Sequence, residues 1–410
     1  MQLVVFEDAG YKNLLPLVYI RAAFDLRCGC DSLLDKIETA MGRTADGLFV
    51  RPSIAAVLAE RQPRPVNQAA SGEDQVWING RLMLCQSLDL PANSAAWNGD
   101  TLLAARLDAK TAAALDVDIL LQPDRLRAAL SKCQAVDIPT GDAMLVDYPW
   151  RLVHANEAEI VRQLQSERPA TKGKVYPGVH LVNKQAIHIG AGAKIKPGAV
   201  LDAEDGPVHI AENVTVHAGA TIIGPCYIGD GCIVHVGASI RGGCSIGPVC
   251  RVGGEIEGTI FQGFSNKQHD GFLGHAYVGE WVNLGADTVN SDLKNTYGPV
   301  RVPINGNPTD TSLTFVGAFI GDHTKTGINV ALPTGCVIGF ASNVFLSRTV
   351  PKFVPSFSWL TDEGEQINDP ARALAVAHKV VTRRNRSLTP AEVALFLSVA
   401  NEARRHEKAQ

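Results

Sequence analysis

Eight β-branched apolar residues stand six apart without a break: Ile210, Val216, Ile222, Ile228, Val234, Ile240, Ile246 and Val252. That period excludes the two ordinary elements, because helices repeat apolar positions every 3.6 residues and half-buried strands every 2. A strict six marks a solenoid in which each unit is one short strand and one turn. The position four residues after each is small or compact: Val214, Ala220, Cys226, Cys232, Ala238, Cys244, Cys250 and Ile256. One large inward residue, one small inward residue and a tight turn make one face of a triangular prism. Three such units make a coil, and coils stack about 4.8 Å apart.

The rhythm starts earlier, at Val175, Leu181 and Ile187, slips, and resumes at Ile189 and Ile195. A loop at 202–206 interrupts it. It returns at Val278 and Leu284 and again at Ile320, Thr326, Leu332, Ile338 and Val344. The pattern predicts a prism over about 175–350. Two longer interruptions, Gly258–Ala276 and Asn290–Leu313, are expected to be ejected as loops on one edge, where solenoids carry their function.

The chain has 410 residues, enough for two or three domains, and a net charge of −4 with no basic patch. That balance argues against nucleic acid as a partner. No stretch reaches 18 apolar residues, so no membrane span is expected. Met1–Phe6 runs straight into a strand-like segment without a signal peptide, which predicts a cytoplasmic protein. Five of the nine cysteines, Cys226, Cys232, Cys244, Cys250 and Cys336, fall on the small inward position. There they read as compact core residues rather than as disulfides or zinc ligands.

Residues 1–150 lack the repeat. Leu3–Phe6, Gly47–Val50, Val76–Ile78 and Thr101–Ala104 read as short buried strands, with helices at Ser32–Ala40 and Pro52–Arg61. The alternation predicts a small α/β domain with a largely parallel sheet. A helix opening at Asn156, with Glu159 as a capping-box partner, makes 151–172 a helical linker between that domain and the prism of 173–350. In 351–410, Pro351 and Pro355 carry an extended strap with exposed Phe353, Phe357 and Trp359. Two helices follow from the cap-plus-proline starts Asp369-Pro370 and Thr389-Pro390.

The text VGGEIEGTIFQGFSNKQHDGFLGHAYVGEWVNLGADT, followed by AFIGDHTKTGINVALPTGCVIG, resembles the acyltransferase half of the bifunctional sugar-1-phosphate enzymes. The best-known member of that family is N-acetylglucosamine-1-phosphate uridyltransferase/glucosamine-1-phosphate acetyltransferase. Over nearly the whole chain there is a closer resemblance to a bacterial group of sugar nucleotidyltransferases in the same superfamily. It is carried by FEDxxxxxLLPL near the start and by Lys352–Trp359 near the end. The resemblance implies a mostly β fold: a left-handed parallel β-helix behind a divergent nucleotidyltransferase-like α/β domain, followed by C-terminal helices. The left hand comes from the resemblance alone, since crossovers are ordinarily right-handed.

The resemblance also implies a chemistry. His269, in the first interruption, would be the general base that takes a proton from an amine attacking an acyl-coenzyme A thioester, with Glu257 polarising the ring. It places Arg241, Lys267, Phe272, Asn283, Asp292 and Arg301 around an amino-sugar phosphate or nucleotide sugar, and Ala286, Asp322 and Lys325 at acetyl-coenzyme A. It implies a cytoplasmic homotrimer serving UDP-N-acetylglucosamine and cell-envelope synthesis. Four positions depart from the family pattern. Thr259 and Gly298 stand where lysines are expected, Phe272 where a tyrosine is, and Asp292 where an asparagine is.

The opening loop Phe6-Glu7-Asp8-Ala9-Gly10-Tyr11-Lys12-Asn13 departs further, with one glycine and two acids where a phosphate cradle needs several backbone N–H groups. The strand Val76–Asn79 leads through Gly80 into Arg81, where the family has a carboxylate for Mg²⁺. Asp100 is a substitute carboxylate, and Mg²⁺ is expected only if this domain transfers nucleotides. Three further readings stand beside acyl transfer. One is sugar-1-phosphate nucleotidyl transfer alone. Another is a zinc enzyme of the carbonic anhydrase type using His217 and His235, which are 18 residues apart. The last is a non-catalytic trimeric scaffold.

Overall fold

The computed structural model describes residues 1–68, 72–139, 141–165 and 169–407. The chain divides into two compact units, one of residues 1–26, 31–148 and 389–398, the other of 27–30, 149–388 and 399–407 among those described.

Every residue of the sixfold series is sealed from solvent, and so is every small residue between them. They line a parallel β-solenoid with three faces. The first face is a nine-stranded sheet running from Ile187–Ile189 to Phe353–Val354. The second holds six strands from Lys174–Val175 to Asn266–Lys267. The third holds six from His180–Val182 to Phe272–Gly274. Parallel register puts equivalent positions in columns: Cys226 stands opposite Cys244, and Ile228 opposite Ile246. A fully buried Val or Ile in such a column contributes about 1.5–3 kcal/mol. The five inward cysteines are free thiols in those columns, and burial pushes Cys244 and Cys336 up to about 12. They pack; they do not react.

The first interruption is not an ejected loop. Residues 258–276 form a coil of their own: its three strands pair with the preceding coil, and Ile260–Gly263 also pairs with the following one. What changes is the coil length. Partners lie 18 residues apart where Cys226 faces Cys244, then 15 where Ser245 faces Ile260, then 17 where Ile260 faces Tyr277. Shortening a coil shifts the phase of the period without breaking the stack, so the sequence pattern fails where the structure continues. The second interruption is a true insertion. Tyr277 faces Phe319 across 42 residues, and the extra chain includes the antiparallel hairpin Arg301–Ile304 with Asn307–Asp310. Asn290 bridges the gap by mimicking a strand, accepting from the N–H of Gly274 and donating to its carbonyl.

The strap of the sequence reading is the last coil. Phe353–Val354 and Ser358–Thr361 pair with the preceding coil, and Phe353 and Phe357 are buried. Only Trp359 of the three aromatics is exposed. The linker helix starts earlier than its capping-box signal suggests, at Pro149, and runs to Leu164. Asn156 lies inside it, buried, accepting from the N–H of Gly29 and donating to the carbonyl of Gly243. A buried side chain that satisfies two distant backbone groups mimics a cap in sequence. The later cap-plus-proline starts are as expected: Asp369 caps Pro370–Thr382, and Thr389 with Glu392 forms a capping box for Pro390–His406.

In the first unit a six-stranded sheet contains the expected strands Gln2–Phe6, Gly47–Phe49, Gln75–Asn79 and Thr101–Leu107, with helices Leu33–Met41 and Pro52–Arg61. The sheet is mixed rather than largely parallel. The first three strands run parallel, but Thr101–Leu107 pairs antiparallel with Gln75–Asn79 and with Ser94–Asn98. The short turn at Gly99-Asp100 makes a hairpin there, a connection parallel strands cannot use.

Candidate active site

The corner between the third and first faces stacks one charged or ionisable residue per coil: Arg241, Glu257, His275 and Asp292. Arg241 Nη1 donates to Glu257 Oε2 at 2.9 Å and to Glu255 Oε1 at 3.2 Å. In the next coil the N–H of His275 donates to the Glu257 carbonyl. Nδ1 of His275 lies 2.8 Å from Asp292 Oδ2, and the Asp292 side chain is largely buried. The carboxylate fixes Nδ1 as the protonated nitrogen and leaves Nε2 with its lone pair.

Local packing builds this dyad. His275 takes a left-handed backbone with φ 48°, and its ring lies over Gly258. Any side chain at Gly274 would collide with the Asp292 carboxylate and the Phe272 ring, so only glycine admits both. On the other side the His275 ring stacks at 6.0 Å on His154 of the linker helix and lies 5.4 Å from Phe315 of the insertion. His154 donates from Nε2 to the Phe315 carbonyl, and burial lowers its pKa. A base, its orienting carboxylate and a guanidinium on one edge make a site that can accept a proton beside a bound anion.

This corner gathers Arg241, Glu257, Phe272 and Asp292 of the residues singled out by sequence. His269 is not among them. It lies exposed at the corner between the second and third faces, beside His235, whose pKa is lowered by burial first and then by His217, Arg251 and His269. The Glu257 carboxylate, the expected partner of His269, is held by Arg241 instead. His275 escaped the sequence reading because its partner is one shortened coil away. The 17-residue spacing of Asn266 and Asn283 is the same as that of His275 and Asp292.

The others scatter. Lys267 is an interior residue, opposite Val252 in the second-face column, with Nζ donating to the carbonyls of Gly253 and His269. A buried ammonium cannot reach a surface phosphate. Asn283 lies on the second face, bridging Asn266 and Lys325. The Ala286 carbonyl accepts from the N–H of Asn329. Asp322 is buried at a turn and accepts from the N–H of Glu280. Lys325 donates to the His323 carbonyl, and burial takes it down to about 8. Arg301 is exposed on the hairpin.

Lys267 gives a prediction with a definite sign. Burial lowers its pKa from 10.5 to about 8, against the opposing pull of Asp270 and Asp287. Folding therefore releases a proton between those two pH values, and stability rises through that window by about 3 kcal/mol. Lys267→Met removes the titration. The stability difference between wild type and variant, read from denaturant midpoints, should shift in favour of wild type by about 3 kcal/mol from neutral pH to about pH 10.5. A difference independent of pH contradicts the buried ammonium.

The opening loop of the first unit is closed by its own ion pairs. Glu7 pairs with Arg51 at 2.6 Å. Asp8 takes a two-pronged bond from Arg81, 2.7 Å from Nε to Oδ1 and 2.6 Å from Nη2 to Oδ2. The Arg81 guanidinium sits against Gly10, where any side chain would collide with it. Asp100 is exposed, 3.6 Å from Arg127. Among the described residues no three His, Cys, Asp or Glu side chains group to hold a metal. These residues do not fit Mg²⁺. His217 and His235 stack with ring centroids 6.1 Å apart, but no third protein ligand joins them among the described residues. No helix among those residues is long and apolar enough to cross a membrane.

Residues 3–168 match the family described as sugar nucleotidyl transferase. A bifunctional sugar-1-phosphate nucleotidylyltransferase/acetyltransferase of Sulfurisphaera tokodaii is 30% identical over 24% of this chain and 25% of its own. Two proteins named bifunctional protein GlmU are also similar. That of Methanococcus vannielii is 32% identical over 28% of this chain and 27% of its own, and that of Acaryochloris marina 30% over 44% and 34%. The chain thus spans about a quarter to a third of the length of the curated relatives it matches. A solved Arabidopsis UDP-N-acetylglucosamine acyltransferase aligns with 59% of this chain and 99% of its own, at 12% identity and a TM-score of 0.22.

Proposed function

We propose that this chain, whose residues 3–168 match the sugar nucleotidyl transferase family, is a transferase of sugar-nucleotide synthesis that acylates an amino-sugar phosphate or nucleotide sugar from an acyl-coenzyme A. The observation that carries this reading is the His275–Asp292 dyad on the same edge as Arg241. The acceptor amine attacks the thioester carbonyl carbon. Nε2 of His275 takes the amine proton as the C–N bond forms, and the tetrahedral intermediate collapses with departure of the coenzyme thiolate, which the imidazolium can reprotonate. Asp292 holds the ring in the tautomer this requires and stabilises the imidazolium. The exposed Arg241 guanidinium, held at Nη1 by Glu255 and Glu257, offers its remaining donors to the acceptor's phosphate.

No nucleotidyl step is routed through the first unit. Its loop acids are held by Arg51 and Arg81. A homotrimer belongs to this reading, and sedimentation velocity tests it. The ligand classes are tested by calorimetric titration of acetyl-coenzyme A, glucosamine 1-phosphate and UDP-sugars into the full chain. Saturable binding of an acyl-coenzyme A and of one sugar ligand is expected. Arg241→Gln should weaken the sugar ligand by about tenfold or more and leave the acyl-coenzyme unchanged. Failure of every acyl-coenzyme A to bind removes the reading.

A further inference from the structure

A second cluster of charge lies on the second face, away from the His275 corner. A pocket of about 200 Å³ is lined by Arg251, Asn266, Asn283 and Lys325 from four successive coils and by Arg383 and Arg384 from the segment following helix Pro370–Thr382. Four of these are cations, and no carboxylate lines the pocket among the described residues. At about 30 Å³ per water, the volume admits a tetrahedral oxyanion with a few waters.

We infer that this pocket binds a phosphoryl group, presented as pyrophosphate or as a phosphate ester. The carrying observation is the juxtaposition of four unneutralised cations and the three side-chain amides of Asn266, Gln268 and Asn283 around one small concavity. Arg384 donates from Nη2 to Asn266 at 2.8 Å, while its buried Nε has no hydrogen-bond partner. Burial lowers the Arg384 pKa, and the nearby Arg251 and Arg383 lower it further. Lys325 is likewise depressed by burial, with no carboxylate opposing. Like charges gathered in a partly desolvated concavity cost free energy that a dianion offsets. Planar arginine forks match phosphate oxygens in pairs, and the lysine adds a point charge. The backbone holds the arrangement. Asn266, Asn283 and Lys325 are consecutive rungs of one column, and a guanidinium from Arg386 lies 4.7 Å over the Phe264 ring to pin the arginine-rich segment.

None of the pocket's residues belongs to the His275 corner, while Asn283 and Lys325 are among those the family resemblance places at the sugar ligand and at acetyl-coenzyme A. The site makes the segment after helix Pro370–Thr382 a working wall of a ligand site rather than a brace for the solenoid.

The test uses the full chain, with inorganic pyrophosphate and a nucleoside diphosphate as probes, titrated by calorimetry and followed by thermal shift at ionic strength matched with sodium chloride. Wild type should bind at least one probe saturably and melt higher in its presence. Pyrophosphate binding alone marks a free-anion site; binding of the nucleoside diphosphate as well marks a site for phosphate esters. Arg251→Gln and Arg384→Gln should each weaken binding at least tenfold. Ligand-free Arg251→Gln should melt no lower than wild type at low salt, because it relieves repulsion. A purely structural arginine would instead lower the melting temperature and leave any binding intact. Arg348→Gln, a change at an exposed cation outside the pocket, should leave binding unchanged. The inference is overturned if neither probe binds beyond the chloride control, if both pocket variants bind within twofold of wild type, or if Arg348→Gln abolishes binding.

Discussion

Replacement of His275 by alanine should lower kcat for acyl transfer by about 10²–10⁴ while the KM for acyl-coenzyme A stays unchanged. The expectation rests on geometry. Asp292 lies 2.8 Å from Nδ1, and the opposite nitrogen, the one a base needs, accepts no hydrogen bond among the described residues. Asp292→Asn tests the orienting role separately. It keeps the shape of the site but can present an amide N–H to Nδ1, which favours the wrong tautomer, so kcat should fall with little change in KM. His269→Ala should leave kcat unchanged, because that ring is exposed and the Glu257 carboxylate is committed to Arg241. If His269→Ala abolishes turnover and His275→Ala does not, the base is the residue implied by the family resemblance and the dyad is structural.

The second large effect is on stability. Asp8→Ala should destabilise the first unit by about 3–5 kcal/mol, because it leaves the buried Arg81 guanidinium without its carboxylate. Both side chains of the pair are at least 90% buried. Arg81 retains one bond, to the Val146 carbonyl, too little to satisfy five donors. Asp8→Leu combined with Arg81→Met should recover most of the loss, since an apolar pair of similar volume replaces a buried ion pair at little cost. The denaturant midpoint of the first unit's unfolding transition reports both. A loss below about 1 kcal/mol for Asp8→Ala would place the pair in the class of exposed salt bridges, contrary to its burial.

Much of the fold could be read from the chain because the solenoid writes itself as a period. Every coil repeats the demand for a large and a small inward residue, so Ile210 to Val252 and the cysteines between them announce the interior directly. The period fails where coil length changes. Between Ser245 and Tyr277 the coils shorten, and a reader counting sixes takes a continuing coil for an ejected loop. His269 therefore stands at a corner of a continuing coil and not on a projecting loop, and His275 stands at the next corner of the same coil. The resemblance singled out Arg241, Phe272 and Asp292, and they share an edge with His275, whose pairing with Asp292 depends on a register that spacing did not reveal. Asn156 failed for a related reason. Its partners, Gly29 and Gly243, are 127 and 87 residues away, and no local pattern distinguishes such a residue from a helix cap.

The most direct measurement follows the release of free coenzyme thiol from acetyl-coenzyme A by the full chain, against a panel of amino-sugar phosphates and UDP-amino sugars, with His275→Ala run in parallel. The account predicts thiol release that depends on one acceptor class, with acyl-acceptor formed in equal amount, and that falls by about 10²–10⁴ in the variant. Release that ignores the acceptor, or acceptor-dependent release that His275→Ala leaves unchanged, would contradict it.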